Sequence, residues 1–149
     1  MLGQYIYDPD NIEGKEKQIQ ALGMLNVSTT LTAEKSVKET QATHVITGTN
    51  VIGYEIHLGL TKGKDNEQPF AMVKDKKEGA VDPSQLVSGT YLHGLFADDT
   101  FRKAFLAELG RKSSSSFSYH HKIDEVLDKF AHQLEKEIDI LQIQKIMGI

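Results

Sequence analysis

Residues 51–58 alternate with the period of a β-strand, and this pattern constrains the fold more than any other in the sequence. Because successive side chains of a strand point to opposite faces, the segment predicts a sheet. One face of this strand carries Ile52, Tyr54, Ile56 and Leu58, and the other carries Val51, Gly53, Glu55 and His57. The alternation therefore also predicts that Glu55 and His57 lie side by side on one face.

Other segments add strands before the sequence turns to helices. Stretches enriched in Val and Thr or bounded by turn residues are predicted as strands: residues 27–31, 37–47, 69–73 and 86–92. Polar residues predict turns at 63–68 and 75–79. Asp98 or Asp99 is predicted to cap a helix that ends at Gly110, with Phe101 and Phe105 on its apolar stripe. Strands followed by helices favour an α/β or α+β fold.

The last part of the chain is predicted to form a long amphipathic helix. Its apolar residues recur at spacings of three and four: Ile123, Val126, Leu127, Phe130, Leu134, Ile138 and Leu141. The preceding serine run, Ser113–Ser116, predicts a flexible connection. The pattern is too short to support a coiled coil, so we expect this helix to pack on its own domain. We therefore expect one domain, with residues 1–112 as its main portion and 113–149 as its linker and terminal helix.

Composition excludes several classes of function. A length of 149 residues suits about one domain, and a net charge of −4 disfavours nucleic acid and anionic membrane as partners. The sequence lacks a run of about 18 apolar residues and a leader-like start, so we expect a cytoplasmic protein without a membrane span. The absence of cysteine excludes disulfides and cysteine nucleophiles within this chain.

His93 is the leading candidate for a catalytic residue. It stands at the predicted end of a strand and is followed by Gly94. Active sites of α/β folds collect at the carboxyl ends of strands, and glycine permits close approach of a substrate. An imidazole can also serve as a general base at neutral pH. The alternative is that His93 is a polar residue capping the following turn.

Glu55 and His57 form the second candidate site. A carboxylate beside an imidazole can orient it, although such a pair can equally belong to a half-exposed strand face. No third ligand is suitably spaced, so we expect no metal site. The remaining histidines are expected to be structural or exposed: His44, His120, His121 and His132. The sequence also has no phosphate-binding loop motif, so nothing predicts a nucleotide site in this chain.

Three stretches, in this order, resemble the amidotransferase domain of the cobyric acid synthases. The first is Met1-Leu2-Gly3 with Asp8-Pro9, Ile12-Glu13-Gly14 and Gly23-Met24-Leu25. The second is Gly53-Tyr54-Glu55-Ile56-His57-Leu58-Gly59 with Thr61, and the third is Gly89-Thr90-Tyr91-Leu92-His93-Gly94-Leu95-Phe96 with Asp99, Phe101-Arg102 and Phe105-Leu106. The resemblance extends from residue 1 to about residue 109. The residues of the second and third stretches favour this family over the related cobyrinic acid a,c-diamide synthases and cell-wall amidotransferases, which remain alternatives.

The resemblance implies a flavodoxin-like class I glutamine amidotransferase fold and a glutaminase reaction. In that reaction a cysteine thiolate attacks the glutamine amide, a thioester forms, and a histidine transfers the protons. The motif match implies that His93 is this histidine. The complete enzyme is expected to hydrolyse glutamine and to supply ammonia for amidation of a corrinoid substrate. A separate N-terminal synthetase domain would use ATP and Mg²⁺ for that step, so no cofactor is expected in this chain.

Two departures from the family pattern affect the expected activity. The family's cysteine would lie just before Met1, so we expect a C-terminal fragment that is inactive as a glutaminase by itself. Leu95 stands where many class I amidotransferases have a glutamate, two residues after the histidine. The third member of the triad is therefore absent or comes from elsewhere, and Glu55 is a candidate orienting residue.

The expected loss of early strands has consequences for partners. A sheet without them would expose an edge and apolar faces, so we expect a homo-oligomer. The N-terminal synthetase domain is expected to be missing from this chain. A different class of function also stays open, namely a non-catalytic domain that keeps the shape and serves as an interaction module.

Overall fold

The structure, a computed structural model, describes residues 1–111 and 118–148. The predicted flexible connection at Ser113–Ser116 lies outside the described residues. The chain divides into two compact units, Met1–Ser113 and Ser114–Ile149. The strands of the first unit are β1 (Tyr5–Tyr7), β2 (Gln18–Gln20), β3 (Val27–His44), β4 (Asn50–Gly63), β5 (Ala71–Val73), β6 (Lys76–Glu78), β7 (Ala80–Val81), β8 (Ser88–Gly89) and β9 (Leu92–His93).

The main sheet is mixed, and the predicted α/β class is confirmed. Its strands lie in the order β2-β1-β3-β4-β9, and β5 joins it by pairing with both β3 and β6. The β1–β3 pair is parallel, whereas the other pairs of this sheet are antiparallel. Strands β7 and β8 form a separate small antiparallel pair.

The long β3–β4 hairpin forms the centre of the sheet. The strand predicted at 27–31 and most of the strand predicted at 37–47 belong to one strand, β3, whereas residues 45–47 form a turn. The register of β3 against β4 shifts between Thr30 and Lys35. Gly59 faces this irregularity with a φ of 133°, and a Cβ there would lie 2.4 Å from the Thr30 carbonyl oxygen. Only glycine fits this conformation and this close approach, so the shift depends on it.

The main hydrophobic core lies between the sheet and the helix α1 (Asp99–Glu108). Its buried members are Ala42, Val51, Phe70, Ala71, Val81, Leu92, Leu95 and Phe101, with Phe105 packed against them. The prediction of this helix is confirmed. The Asp98 carboxylate accepts a 2.7 Å hydrogen bond from the Phe101 N–H, and Gly110 follows the helix with a φ of 74°. The cap and the glycine satisfy backbone groups that an α-helix leaves unpaired at its two ends.

Two predictions in the second half of this unit are wrong in detail. The predicted turn at 75–79 contains β6, and the predicted strand at 86–92 is divided into two short strands. Of these, β8 pairs with β7, whereas β9 pairs with β4. Between them, the Thr90 hydroxyl and the Tyr91 N–H donate hydrogen bonds to Glu78, and these two residues belong to neither strand.

The second unit contains the helices α2 (Tyr119–Glu137) and α3 (Ile140–Met147). The single long helix predicted here is therefore interrupted. Ile138 is extended, and the Asp139 carboxylate accepts a 2.9 Å hydrogen bond from the Gln142 N–H, which starts the second helix. Across 1–111 and 118–148, none of the helices has the length and apolar character needed to cross a membrane.

Candidate active site

A cavity of about 720 Å³ lies in the first unit, and the sequence-predicted site residues contribute to its lining. Glu55, His57 and His93 all contribute to its lining. Apolar residues from the start of the chain and from β3 and β4 line much of the rest: Met1, Leu2, Ile6, Leu25, Val27, Leu31, Ile56, Leu58 and Leu60. An apolar cavity with a few convergent polar groups is the usual form of a small-molecule site.

His93 is exposed at the end of β9. Its backbone pairs with Tyr54 of β4, and a Cβ at Gly53 would lie 2.6 Å from the His93 carbonyl oxygen. The glycine of the neighbouring strand thus permits β9 to approach β4 closely. After His93 the chain turns at Gly94, whose φ of 79° is left-handed. The imidazole is therefore presented at a strand end by fixed backbone on both sides.

Glu55 and His57 are in contact, as their shared face predicts. The distance from Glu55 Oε1 to His57 Nε2 is 3.4 Å, and His57 Nδ1 lies 3.0 Å from the Gly59 carbonyl oxygen. Since a carbonyl can only accept, Nδ1–H is the donor in that second bond. In the β4–β9 ladder, Glu55 lies opposite Leu92, whereas His93 lies opposite Tyr54. The contacts fit orientation of His57 by Glu55. Because neighbouring residues of a strand point to opposite faces, this register directs the side chains of Glu55 and His93 to opposite faces of the sheet and does not support orientation of His93 by Glu55.

Glu78 is a site residue that the sequence analysis missed. It is buried, with 7% of its surface exposed, and it lines the same cavity. Its Oε1 accepts the Tyr91 N–H at 2.7 Å, and its Oε2 accepts the Thr90 hydroxyl at 2.7 Å. Burial raises the pKa of the Glu78 carboxyl above its usual value, although the bonds from Tyr91 and Thr90 act in the opposite direction. No local signal marks Glu78, because its partners lie 12 and 13 residues further along the chain.

A chain of hydroxyl groups forms another wall of the cavity. The Tyr91 hydroxyl lies 2.5 Å from Thr61 Oγ1, which in turn lies 2.6 Å from Thr29 Oγ1. The Tyr91 ring also lies against the His57 imidazole, with ring centroids 5.4 Å apart. Tyr91 therefore connects the segment before His93 to β3, to β4 and to the Glu55–His57 pair. Tyr91 and Thr61 belong to the motifs quoted above but were not selected there as site residues.

The loop after β1 is held by one carboxylate. Asp8 accepts hydrogen bonds from the N–H groups of Ile12 (2.7 Å), Glu13 (2.9 Å) and Gly14 (3.1 Å). These bonds, led by the one from Ile12, lower the pKa of the Asp8 carboxyl. Glu13 itself lines the cavity. The Asp8-Pro9 and Ile12-Glu13-Gly14 stretches of the sequence are thus parts of one hydrogen-bonded loop at the cavity.

The groups at the cavity suit acid–base chemistry. His57 and His93 supply imidazoles, and Tyr91 and the threonines supply hydroxyl groups that can donate or accept hydrogen bonds. Among the described residues, histidine and acidic side chains form no cluster of three or more that could hold a metal ion.

Comparison with known proteins identifies the family. Residues 1–101 match the CobB/CobQ-like glutamine amidotransferase domain. The cobyric acid synthase of Cereibacter sphaeroides is 41% identical over 140 residues, which cover 94% of this chain and 29% of that protein. The cobyric acid synthase of Rhodobacter capsulatus is 43% identical over 143 residues, covering 96% of this chain and 30% of that protein. The chain therefore spans less than a third of the length of these curated relatives.

The matched region contains the cavity and each candidate residue at it. His93, Glu55, His57 and Glu78 all lie within residues 1–101, and the resemblance to the amidotransferase domain of the cobyric acid synthases is confirmed. The match and the mixed α/β sheet are consistent with a class I, flavodoxin-like amidotransferase domain. This chain belongs to the family of CobB/CobQ-like glutamine amidotransferase domains.

Proposed function

We propose that this chain contributes the histidine side of a glutamine-hydrolysing site, with His93 as its general base. The observation that carries the proposal is the position of His93. His93 is exposed at the end of β9, and it lines a cavity that is large enough for an amino acid and that Glu55, His57 and Glu78 also line. Membership of the glutamine amidotransferase family supplies the reaction class.

In the proposed reaction His93 moves protons and a cysteine forms the covalent bond. His93 accepts the thiol proton as the thiolate attacks the side-chain amide carbon of glutamine, and it returns the proton to the departing ammonia. It then accepts a proton from water, which attacks the thioester carbon. The C–S bond breaks, His93 returns the proton to the departing cysteine sulfur, and glutamate is released. The sequence contains no cysteine, so the nucleophile has to come from outside residues 1–149.

The ammonia would serve the reaction for which the relatives are named. Cobyric acid synthases are the relatives that match this chain. We propose that the released ammonia amidates carboxylates of a corrin ring in cobalamin biosynthesis. A separate synthetase domain would bind ATP and Mg²⁺ and activate those carboxylates, so residues 1–149 would bind neither.

The test sequences the DNA upstream of the Met1 codon. The protein encoded by the complete open reading frame, called here the product of the full frame, is then expressed and assayed. We expect a Cys-Gly-Gly elbow shortly before Met1 and glutamine hydrolysis by that product, detected as released glutamate. His93→Ala should abolish the hydrolysis. His132→Ala is the matched control, because His132 is exposed in α2 and lies outside the matched region. Residues 1–149 alone should be inactive, and glutaminase activity of this purified chain would contradict the assignment of the nucleophile.

A non-catalytic interaction module is the second candidate function. The absence of cysteine favours it if the reading frame begins at Met1. A stop codon or unrelated sequence directly upstream of Met1 would support this function and contradict the proposed glutaminase. The two functions are therefore separated by one sequencing experiment.

We also propose that the isolated chain forms a homo-oligomer. The edge strand β2 is exposed along its length, and among the described strands it pairs only with β1. An open edge can pair with an identical edge of a second copy. Light scattering of residues 1–149 should give at least twice the 16.6 kDa mass of one chain. A mass of one chain at micromolar concentration would contradict this proposal.

A further inference from the structure

We propose that Glu78 is a positioning residue, which sets the place of His93 by holding the segment directly before it. The inference rests on the proposed glutaminase function. The hydrogen bonds of Glu78 go to Thr90 and Tyr91. In the proposed reaction Glu78 contacts none of the reacting atoms. Its effect would pass through Thr90, Tyr91 and Leu92.

The carboxylate of Glu78 holds this segment at two points. One oxygen accepts the Tyr91 N–H and the other accepts the Thr90 hydroxyl, each at 2.7 Å. Thr90 Oγ1 in turn accepts the Leu92 N–H at 3.0 Å. The bonds therefore run from Glu78 to the residue immediately before His93. Since Glu78 is buried, they are shielded from competition with water.

The strand that carries His93 needs this support. Strand β9 consists of two residues, and its ladder with β4 joins only Leu92 to Glu55 and His93 to Tyr54. One further backbone bond, from the Ile56 N–H to the Tyr91 carbonyl at 3.0 Å, holds the same region. A ladder this short fixes the direction of a side chain weakly, so hydrogen bonds at its start add a large share of the restraint.

Glu78 is itself attached to the rigid part of the sheet. It ends β6, which pairs with β5, and β5 pairs with the end of β3. Ala71 of β5 is fully buried in the main core. Glu78 therefore connects the core of the unit to the segment that presents His93.

The two hydrogen bonds require a carboxylate at position 78 and not an amide. Both of its oxygens accept, and its two partners both donate. A glutamine at this position would keep one accepting oxygen but would direct an NH₂ group at the other donor. Thr90 or the backbone at Tyr91 would then have to rotate or shift. A shift of about 1 Å in a catalytic group can reduce the rate on the order of 10²-fold.

The test compares Glu78→Gln with a matched control in the product of the full reading frame. The control is Asp82→Asn, because Asp82 also holds a loop, accepting the N–H groups of Ser84 (2.9 Å) and Val87 (2.7 Å). The number of folded active sites is measured by labelling to completion with an electrophilic glutamine analogue that alkylates the cysteine. We expect Glu78→Gln to lower kcat per counted site on the order of 10²-fold with KM nearly unchanged. Asp82→Asn should leave both constants unchanged.

A second pair of variants covers the case in which Glu78→Gln does not fold. Thr90→Val removes the hydroxyl that links Glu78 to Leu92, and Thr90→Ser keeps it. We expect Thr90→Val to lower kcat per counted site at least tenfold and Thr90→Ser to restore it. Restoration by serine would show that the hydrogen bond matters rather than the volume of the side chain.

The outcomes separate this inference from the proposed function. If the unsubstituted product hydrolyses no glutamine, the proposed function fails and the positioning role fails with it. If that product is active but the Glu78→Gln and Thr90→Val variants keep its kcat per counted site, Glu78 only stabilises the fold. In this second case the positioning role is overturned, while the role of His93 stands.

Discussion

His44 and His93 occupy the same position in their strands, since each is the last residue of one, but their surroundings differ completely. His44 ends β3 and has 1% of its surface exposed. Its ring packs against Phe70, Phe101 and Phe105, with centroid distances of 4.6, 5.2 and 6.0 Å. Its Nδ1 lies 2.8 Å from the hydroxyl oxygen of Thr47. Burial lowers the pKa of the His44 imidazole, so the neutral form is favoured.

His93, by contrast, is exposed at a cavity. The comparison teaches that the position of a histidine at a strand end does not determine its role. A general base has to reach the proton it accepts, and a ring enclosed by three phenylalanines cannot do so. The helix α1, which carries Phe101 and Phe105, covers the end of β3 and thereby makes His44 a core residue.

The largest expected effect is on catalysis. In the product of the full frame, His93→Ala should lower kcat on the order of 10⁴-fold or more, because a missing base leaves the thiol protonated. The melting temperature should change little, since His93 is exposed. A substitution of His44 should do the reverse and reduce stability while leaving kcat per folded molecule unchanged. A His44→Phe variant that folds but has lost its glutaminase activity would break the comparison.

The packing around His44 is expected to dominate the stability of the first unit. Phe101 is fully buried and contacts His44, so Phe101→Ala should lower the free energy of unfolding by about 3–5 kcal/mol. Phe96→Ala is the matched control, because Phe96 is about half exposed and should cost clearly less. Urea denaturation of residues 1–149 measures both changes. Equal losses for the two variants would show that the burial of Phe101 does not dominate the stability of the unit.

The lowered pKa of His44 predicts a pH dependence of stability. The unfolded chain binds a proton near the usual pKa of 6.5, whereas folded His44 binds it only at lower pH. Above pH 6.5 His44 is neutral in both states and does not reduce the free energy of unfolding. As the pH falls below 6.5, the unfolded state binds the proton first, and the free energy of unfolding decreases. The urea midpoint should be lower at pH 5.5 than at pH 7.5. His44→Phe, which cannot titrate, should show a smaller difference, and an unchanged difference would contradict the assignment to His44.

The smallest expected effect concerns the start of α1. Asp98→Ala removes the acceptor for the Phe101 N–H and should lower the free energy of unfolding by about 1 kcal/mol. Asp98→Asn should preserve most of the stability, since asparagine caps helices nearly as well. Thermal unfolding of the three proteins measures the difference. Equal stability of the alanine and asparagine variants would show that the cap does not hold α1 over His44.

The sequence by itself determined the features that depend on neighbouring residues. The alternation of residues 51–58 predicted β4 and the contact of Glu55 with His57, because a strand has a period of two. Asp98 and Gly110 marked the ends of α1, because helix ends need capping groups within a few residues. The three stretches that resemble the amidotransferase domain identified the family together, because their residue types, order and spacings are specific.

Only the tertiary structure decided which residues surround each histidine. Nothing near His44 in the sequence indicates that Phe101 will cover it, and nothing near Glu78 indicates its bonds to Thr90 and Tyr91. Residues 75–79 are charged and were predicted as a turn, yet Glu78 is buried because the segment before His93 folds over it. Contacts between residues far apart in the chain form only when the sheet assembles, so local sequence patterns do not predict them.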